Sequence, residues 1–128
     1  MNNKDSRRQI SNAIIVYLIG LLGWIILVCY REIKKSDINF LRSNIIWHCN
    51  GWCIGHFIHY LILGYLAPNY IWMLALIGFM FELIEIPLNN ISKYIDGKLI
   101  QDTFVNIIGL IFGYLLFKIF PKRIYLYK

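Results

Sequence analysis

Few residues in this chain can do acid, base or metal chemistry, and those few interrupt long apolar runs. His56 stands in one run, Glu82 and Glu85 lie one helical turn apart near the end of the next, and Asp102 and Asn106 open the last. Ionisable groups inside membrane-type segments are costly, so they face a bundle interior or a wet cavity and are candidates for function. The carboxylates of Glu82, Glu85 and Asp102 suit a hard divalent cation such as Mg²⁺, Ca²⁺ or Mn²⁺. The imidazole of His56 suits a general base acting on a hydroxyl or water. A cation beside phosphate oxygens would neutralise charge developing in phosphodiester chemistry. The plainer alternative is that these groups pair with one another and with backbone to fix helix packing.

Helical periodicity aligns each set on one stripe. Gly78, Glu82, Glu85 and Asn89 are spaced 4, 3 and 4, and so are Asp102, Asn106, Gly109 and Gly113. His56, Tyr60 and Gly64 form a third stripe, with His59 close to that face. Tyr60, Asn106 and Lys98 are candidate pocket residues, while Gly109 and Gly113 suit close helix packing beneath it. His48, Cys49, Cys53 and His56 could also be read as a zinc set. Three ligands on one rigid helix seldom close a tetrahedron, however, and the usual finger spacing is missing. His59 reads as a packed or hydrogen-bonded histidine, and Gly20 and Gly23 as packing sites. Asp96 is either a solvated turn acid or a site residue.

The elements that must position these groups follow from composition. Of 128 residues, 59% are hydrophobic and 16% charged, against about 45–50% and about 25% in soluble domains. A soluble domain of this size could not hide so much apolar surface, and disorder needs the opposite composition. The net charge of +6 does not indicate nucleic acid. Lys and Arg fall between the apolar runs and at both ends, where headgroups would meet them, without the interleaved aromatics of a single-strand groove. Three cysteines, an odd number in apolar context, argue against a disulfide framework. The first run is too long for a cleavable signal and lacks a cleavage site, so it reads as a signal anchor.

Four spans are predicted, at about 11–30, 45–67, 70–88 and 103–120, giving one all-α, multi-pass transmembrane domain over residues 1–128. Pro68 and Asn69 break the second span from the third, and Asp96 with Gly97 marks a turn before the fourth. The connector 31–44 suggests a short interfacial helix, since Ile38, Leu41 and Ile45 recur at helical spacing. The spans expected to carry His56, the two glutamates and Asp102 would then bring them to one leaflet, with His56 about 16 Å along its helix from Ile45. Orientation is left open, with seven Lys or Arg on one side and six on the other. Trp24, Trp47, Trp52 and Trp72 read as interfacial anchors.

At these residues the chain resembles the VanZ-like membrane family over about residues 50 to 118. His56, Phe57, Tyr60, Leu63 and Gly64 match its His-Phe helix, Glu82 to Glu85 its acidic helix end, and Asp102, Asn106, Gly109 and Gly113 its last motif. Phe81 stands where that family often has Asp, Glu85 where it has Gln, and Lys98 near its connector Arg. The segment Phe81, Glu82, Leu83, Ile84, Glu85 is also similar, more distantly, to base-exchange phosphatidylserine synthases. That similarity implies a cation held by Glu82, Glu85 and Asp102, with His56 activating an alcohol in headgroup exchange. VanZ-like proteins are associated with glycopeptide (teicoplanin) resistance.

Two functional readings stand. The first is a metal-dependent phospholipid headgroup transferase, or a binder of lipid-phosphate headgroups, with membrane lipid as partner and no organic cofactor. The second is a non-catalytic structural or interaction protein of the membrane. A channel would need a homo-oligomer, because one four-span chain leaves little room for a pathway. Self-association is left open.

Overall fold

The computed structural model describes residues 3–43, 45, 49–92, 94–95 and 98–121. They form α1 (Asn3–Lys34), α2 (Asn39–Arg42), α3 (Gly51–Leu66), a 3₁₀ turn (Pro68–Tyr70), α4 (Ile71–Asn89) and α5 (Leu99–Ile119), with no strand among the described residues. The fold is all-α. Three helical segments are long and apolar enough to cross a membrane: Asn3–Lys34, Pro68–Asn89 and Leu99–Ile119. Their outer faces carry Ile14, Leu22, Trp72, Leu76 and Phe112, all more than half exposed, a surface suited to hydrocarbon and not to water. The protein is therefore consistent with an integral membrane location.

α3 differs from the expected second span. It begins at Gly51 rather than Ile45 and has 16 residues, a rise of about 24 Å against a hydrocarbon core of about 30 Å. The late start has a local cause. Asn50 adopts an extended conformation, and its side chain accepts a hydrogen bond from the Cys53 N–H at 3.1 Å, capping the helix. Just before this cap Cys49 is bonded to Cys53 in a disulfide, with a Cα separation of 5.4 Å, inside the range such bonds require. This corrects the expectation of no disulfide for Cys49 and Cys53, while Cys29 is free, and it takes both bonded thiols out of the zinc set. His48 and Trp47 lie outside the described residues.

The expected interfacial connector helix is a single turn. Leu41 is buried, but Ile45 lies beyond the helix and is 41% exposed. α1 extends past both ends of the predicted first span, through Arg, Lys, Glu and Gln, which are good helix formers. It stops at Lys35, whose φ of 52° gives the left-handed turn that ends many helices.

α3 and α5 form the tightest pair. A Cβ on Gly64 would run into the Leu110 backbone, one on Gly109 would lie 2.7 Å from the Phe57 carbonyl oxygen, and one on Gly113 would meet the Leu61 carbonyl. Only glycine lets the two backbones approach so closely. Around this seam Ala13 and Val16 of α1, Tyr60 and Leu63 of α3, Leu74 of α4 and Leu110 of α5 form one buried cluster. The Tyr17 hydroxyl donates to the Leu74 carbonyl at 3.0 Å, tying α1 to α4 beside it.

Candidate functional site

The site lies at the end of the bundle where α3 begins, α4 ends and α5 begins. Because α3 starts at Gly51, His56 sits about 7.5 Å along it at 1.5 Å per residue, not the longer distance expected from a start at Ile45. From α4, Glu82 is 1% exposed and Glu85 4%; from α5, Asp102 is 5% and Asn106 2%. All four turn inward, away from the apolar outer faces. The spacing of three or four residues places each pair on one side of its helix.

A chain of contacts crosses the three helices. Asn106 Nδ2 donates to Glu82 Oε1 at 2.8 Å. That bond orients the amide, leaving its Oδ1 as an acceptor 3.1 Å from His56 Nδ1. An acceptor there, with Glu82 Oε1 at 3.5 Å from the same nitrogen, places the imidazole proton on Nδ1 and leaves Nε2 as the basic nitrogen. A carboxylate thus holds an amide, and the amide holds a histidine, so the imidazole is oriented for proton transfer. Glu82 Oε2 is buried and has no hydrogen-bond partner among the described residues. A buried carboxylate oxygen needs a donor or a cation.

The other candidates surround this chain. Tyr60 is 4% exposed and packs edge-on against Tyr17, with ring centres 6.2 Å apart. Gly78 makes room for it, since a Cβ there would lie 2.6 Å from the Tyr60 hydroxyl. Asp102 accepts the Lys98 backbone N–H at 2.9 Å, closing the N-terminus of α5 with a negative charge where the helix dipole favours one. It also lies within electrostatic range of Glu82. Lys98 is exposed and supplies this N–H to Asp102. Among the described residues no three His, Cys, Asp or Glu side chains are grouped as a ready-made metal site. Asp96 lies outside the described residues. His59 packs edge-on against Tyr17 and Tyr60, at 5.6 and 5.3 Å between ring centres, in space that Gly20 leaves open.

Arg31, which by sequence is one more flanking cation, is fully buried. Its Nε donates to Asp37 Oδ1 at 2.9 Å, and one terminal nitrogen to the Tyr94 carbonyl at 2.7 Å. Its guanidinium lies over the rings of Tyr94 and Trp52, 5.2 and 5.7 Å from their centres, and Arg42 also pairs with Asp37 at 3.0 Å. The left-handed turn at Lys35 returns the chain so that Asp37 meets Arg31. Trp52 is thus a platform for Arg31 rather than a headgroup anchor. Trp24, too, faces inward on Phe81 at 5.9 Å. An Arg followed six residues later by Asp across a helix end was the only trace of this knot in the sequence.

Beside His56 an apolar cavity of about 360 Å³ runs between α1 and α3, bounded by Phe81 of α4. No protein-family model matches the chain, and no curated protein or solved structure does.

Proposed function

We propose that this is a four-span membrane protein whose buried polar cluster binds phospholipid or lipid-phosphate headgroups and exchanges them with metal assistance. α3 makes the fourth crossing in this reading, because it must return the chain from the far end of α1 to the start of α4. The observation that carries the functional part is the chain Glu82, Asn106, His56 together with the unpartnered Glu82 Oε2.

In the exchange, the hydroxyl oxygen of an incoming alcohol bonds to the lipid phosphorus while its proton passes to His56 Nε2. As the original phosphorus–oxygen bond breaks, the departing headgroup oxygen takes that proton. Asn106 and Glu82 keep the imidazole in the required tautomer throughout. Glu82, Glu85 and Asp102 would supply the oxygen donors a Mg²⁺, Ca²⁺ or Mn²⁺ ion prefers. When bound, such an ion would neutralise charge on the phosphate.

The test is reconstitution into vesicles of phosphatidylcholine and phosphatidylglycerol, supplied with ethanolamine, serine or glycerol and each divalent ion in turn. New headgroup species detected by mass spectrometry, lost in Glu82→Gln and His56→Ala, are the expected result. A structural role is the second reading, favoured by the bonds that join Glu82, Asn106 and His56 to one another across three helices. It takes over if no product forms and no divalent ion changes the melting temperature.

A further inference from the structure

The glycines of this chain fall into two kinds. Gly64, Gly109 and Gly113 stand where any side chain would collide with a neighbouring backbone. Gly23 of α1 and Gly55 of α3 do the opposite: a Cβ at either would have nothing within 4 Å. Both line the same apolar cavity of about 360 Å³, so close packing is not what glycine serves there. Protein interiors are close-packed, and an apolar void of this kind holds no stable water.

From the geometry we infer that this cavity is a binding slot for one acyl chain of a membrane glycerophospholipid. Its size fits that occupant. The slot follows α1 from Tyr17 to Leu27, about 15 Å at 1.5 Å per residue. Over that length, 360 Å³ makes a slender groove, narrower than a helix with its side chains at about 10–12 Å. A second copy of the chain cannot seat a helix there, but a single aliphatic chain can.

Its surroundings fit as well. The adjoining face of α1 carries Leu18 and Leu22, 60% and 59% exposed, in a helix apolar enough to cross a membrane. The medium at the mouth of the slot is therefore hydrocarbon. A lipid tail moves from bilayer to slot without exposing apolar surface to water, so its selectivity must come from the polar end. That end is provided. His56 lines the slot and is held at Nδ1 by Asn106, so one end of the slot reaches the polar cluster. The direction of the lipid, phosphate toward His56 and Glu82, rests on the headgroup reading; occupancy of the slot does not.

The probe is a phosphatidylglycerol carrying a diazirine midway along one acyl chain, photolysed in phosphatidylcholine vesicles containing the full chain. Cross-linked peptides should centre on residues 20–24 and 52–59. Gly23→Phe combined with Gly55→Leu should lower that labelling about tenfold, equivalent to about 1.4 kcal/mol of binding, while labelling at outward-facing Phe112 stays constant. Each single variant, with its melting temperature, shows that the loss follows filling of the slot and not unfolding. Labelling spread evenly over the outer faces, labelling that survives both substitutions in a folded protein, or protein-to-protein cross-links at Gly23 would each overturn the proposal. Glu82→Gln separates the two ideas: it should lose headgroup exchange and keep slot labelling. Slot labelling in a wild type that exchanges no headgroup retires the exchange and keeps the slot.

Discussion

Gly113 of α5 lies directly against the carbonyl of Leu61 on α3, with no room for even a methyl group between them. The same seam includes Gly64 and Gly109, and it places Asn106, one turn before Gly109, opposite the His56 turn of α3. Separation of the two backbones would therefore stretch the His56–Asn106 bond. Gly113→Leu is expected to destabilise the protein by about 1–3 kcal/mol, the usual range for overpacking. A melting curve in detergent measures this. A variant as stable as wild type would mean that the seam is not tight.

Asn106 is the second test point. Asn106→Ala removes the donor to Glu82 Oε1 and the acceptor for His56 Nδ1 together. Leaving buried polar groups unpaired costs about 1–3 kcal/mol. Glu82→Gln should behave differently, because its amide oxygen can still accept from Asn106; the fold should hold to within about 1 kcal/mol. Parallel melts of the two variants check the order. Equal losses would show that the charge of Glu82, and not its hydrogen bond, supports the bundle.

The class of fold was legible because charge is confined to the ends of apolar runs, and that pattern has few solutions outside a membrane. The inward turn of Glu82, Glu85, Asp102 and Asn106 was legible too, since each pair repeats at helical spacing. The start of α3 was not. Ile45 and Ile46 continue the apolar run without a break, and only the Asn50 cap and the Cys49–Cys53 bond stop the helix at Gly51. Gly23 and Gly113 show a different limit. Both read as packing glycines, yet one touches backbone and the other faces open space, a difference set by the neighbouring helix and not by local spacing. Arg31 was hidden because Tyr94, its carbonyl partner, is far away in the chain.

Arg31 supplies the third prediction. It holds the end of α1 to the 92–95 segment through Tyr94, and Ser92 reinforces this by donating to Glu32. Removing Arg31 leaves the Tyr94 carbonyl without its donor, while Asp37, about one-third exposed, keeps Arg42; such a loss costs about 1–3 kcal/mol. Arg31→Ala should lose that much, and Arg31→Lys should recover less than half, since an ammonium cannot reproduce the planar fork. Hydrogen exchange at residues 94 and 95 should rise in both variants. Unchanged exchange there would mean that the 92–95 segment is held by something other than Arg31.

The Cys49–Cys53 disulfide carries the last prediction, which concerns orientation. Disulfides persist in oxidising compartments and are rare where thiols are kept reduced. The bond adjoins the first turn of α3, the same end as Arg31, Glu82 and Asp102, so that whole end should face away from the cytosol. The cations alone leave orientation open, with seven Lys or Arg on one side and six on the other, so the disulfide decides it. In sealed cells expressing the protein, a membrane-impermeant phosphine followed by an impermeant maleimide should label Cys49 and Cys53 from outside. Without the phosphine neither should react. Labelling only after the membrane is opened would put the His56 cluster on the cytosolic side. A free Cys49 thiol in the untreated protein would remove the argument.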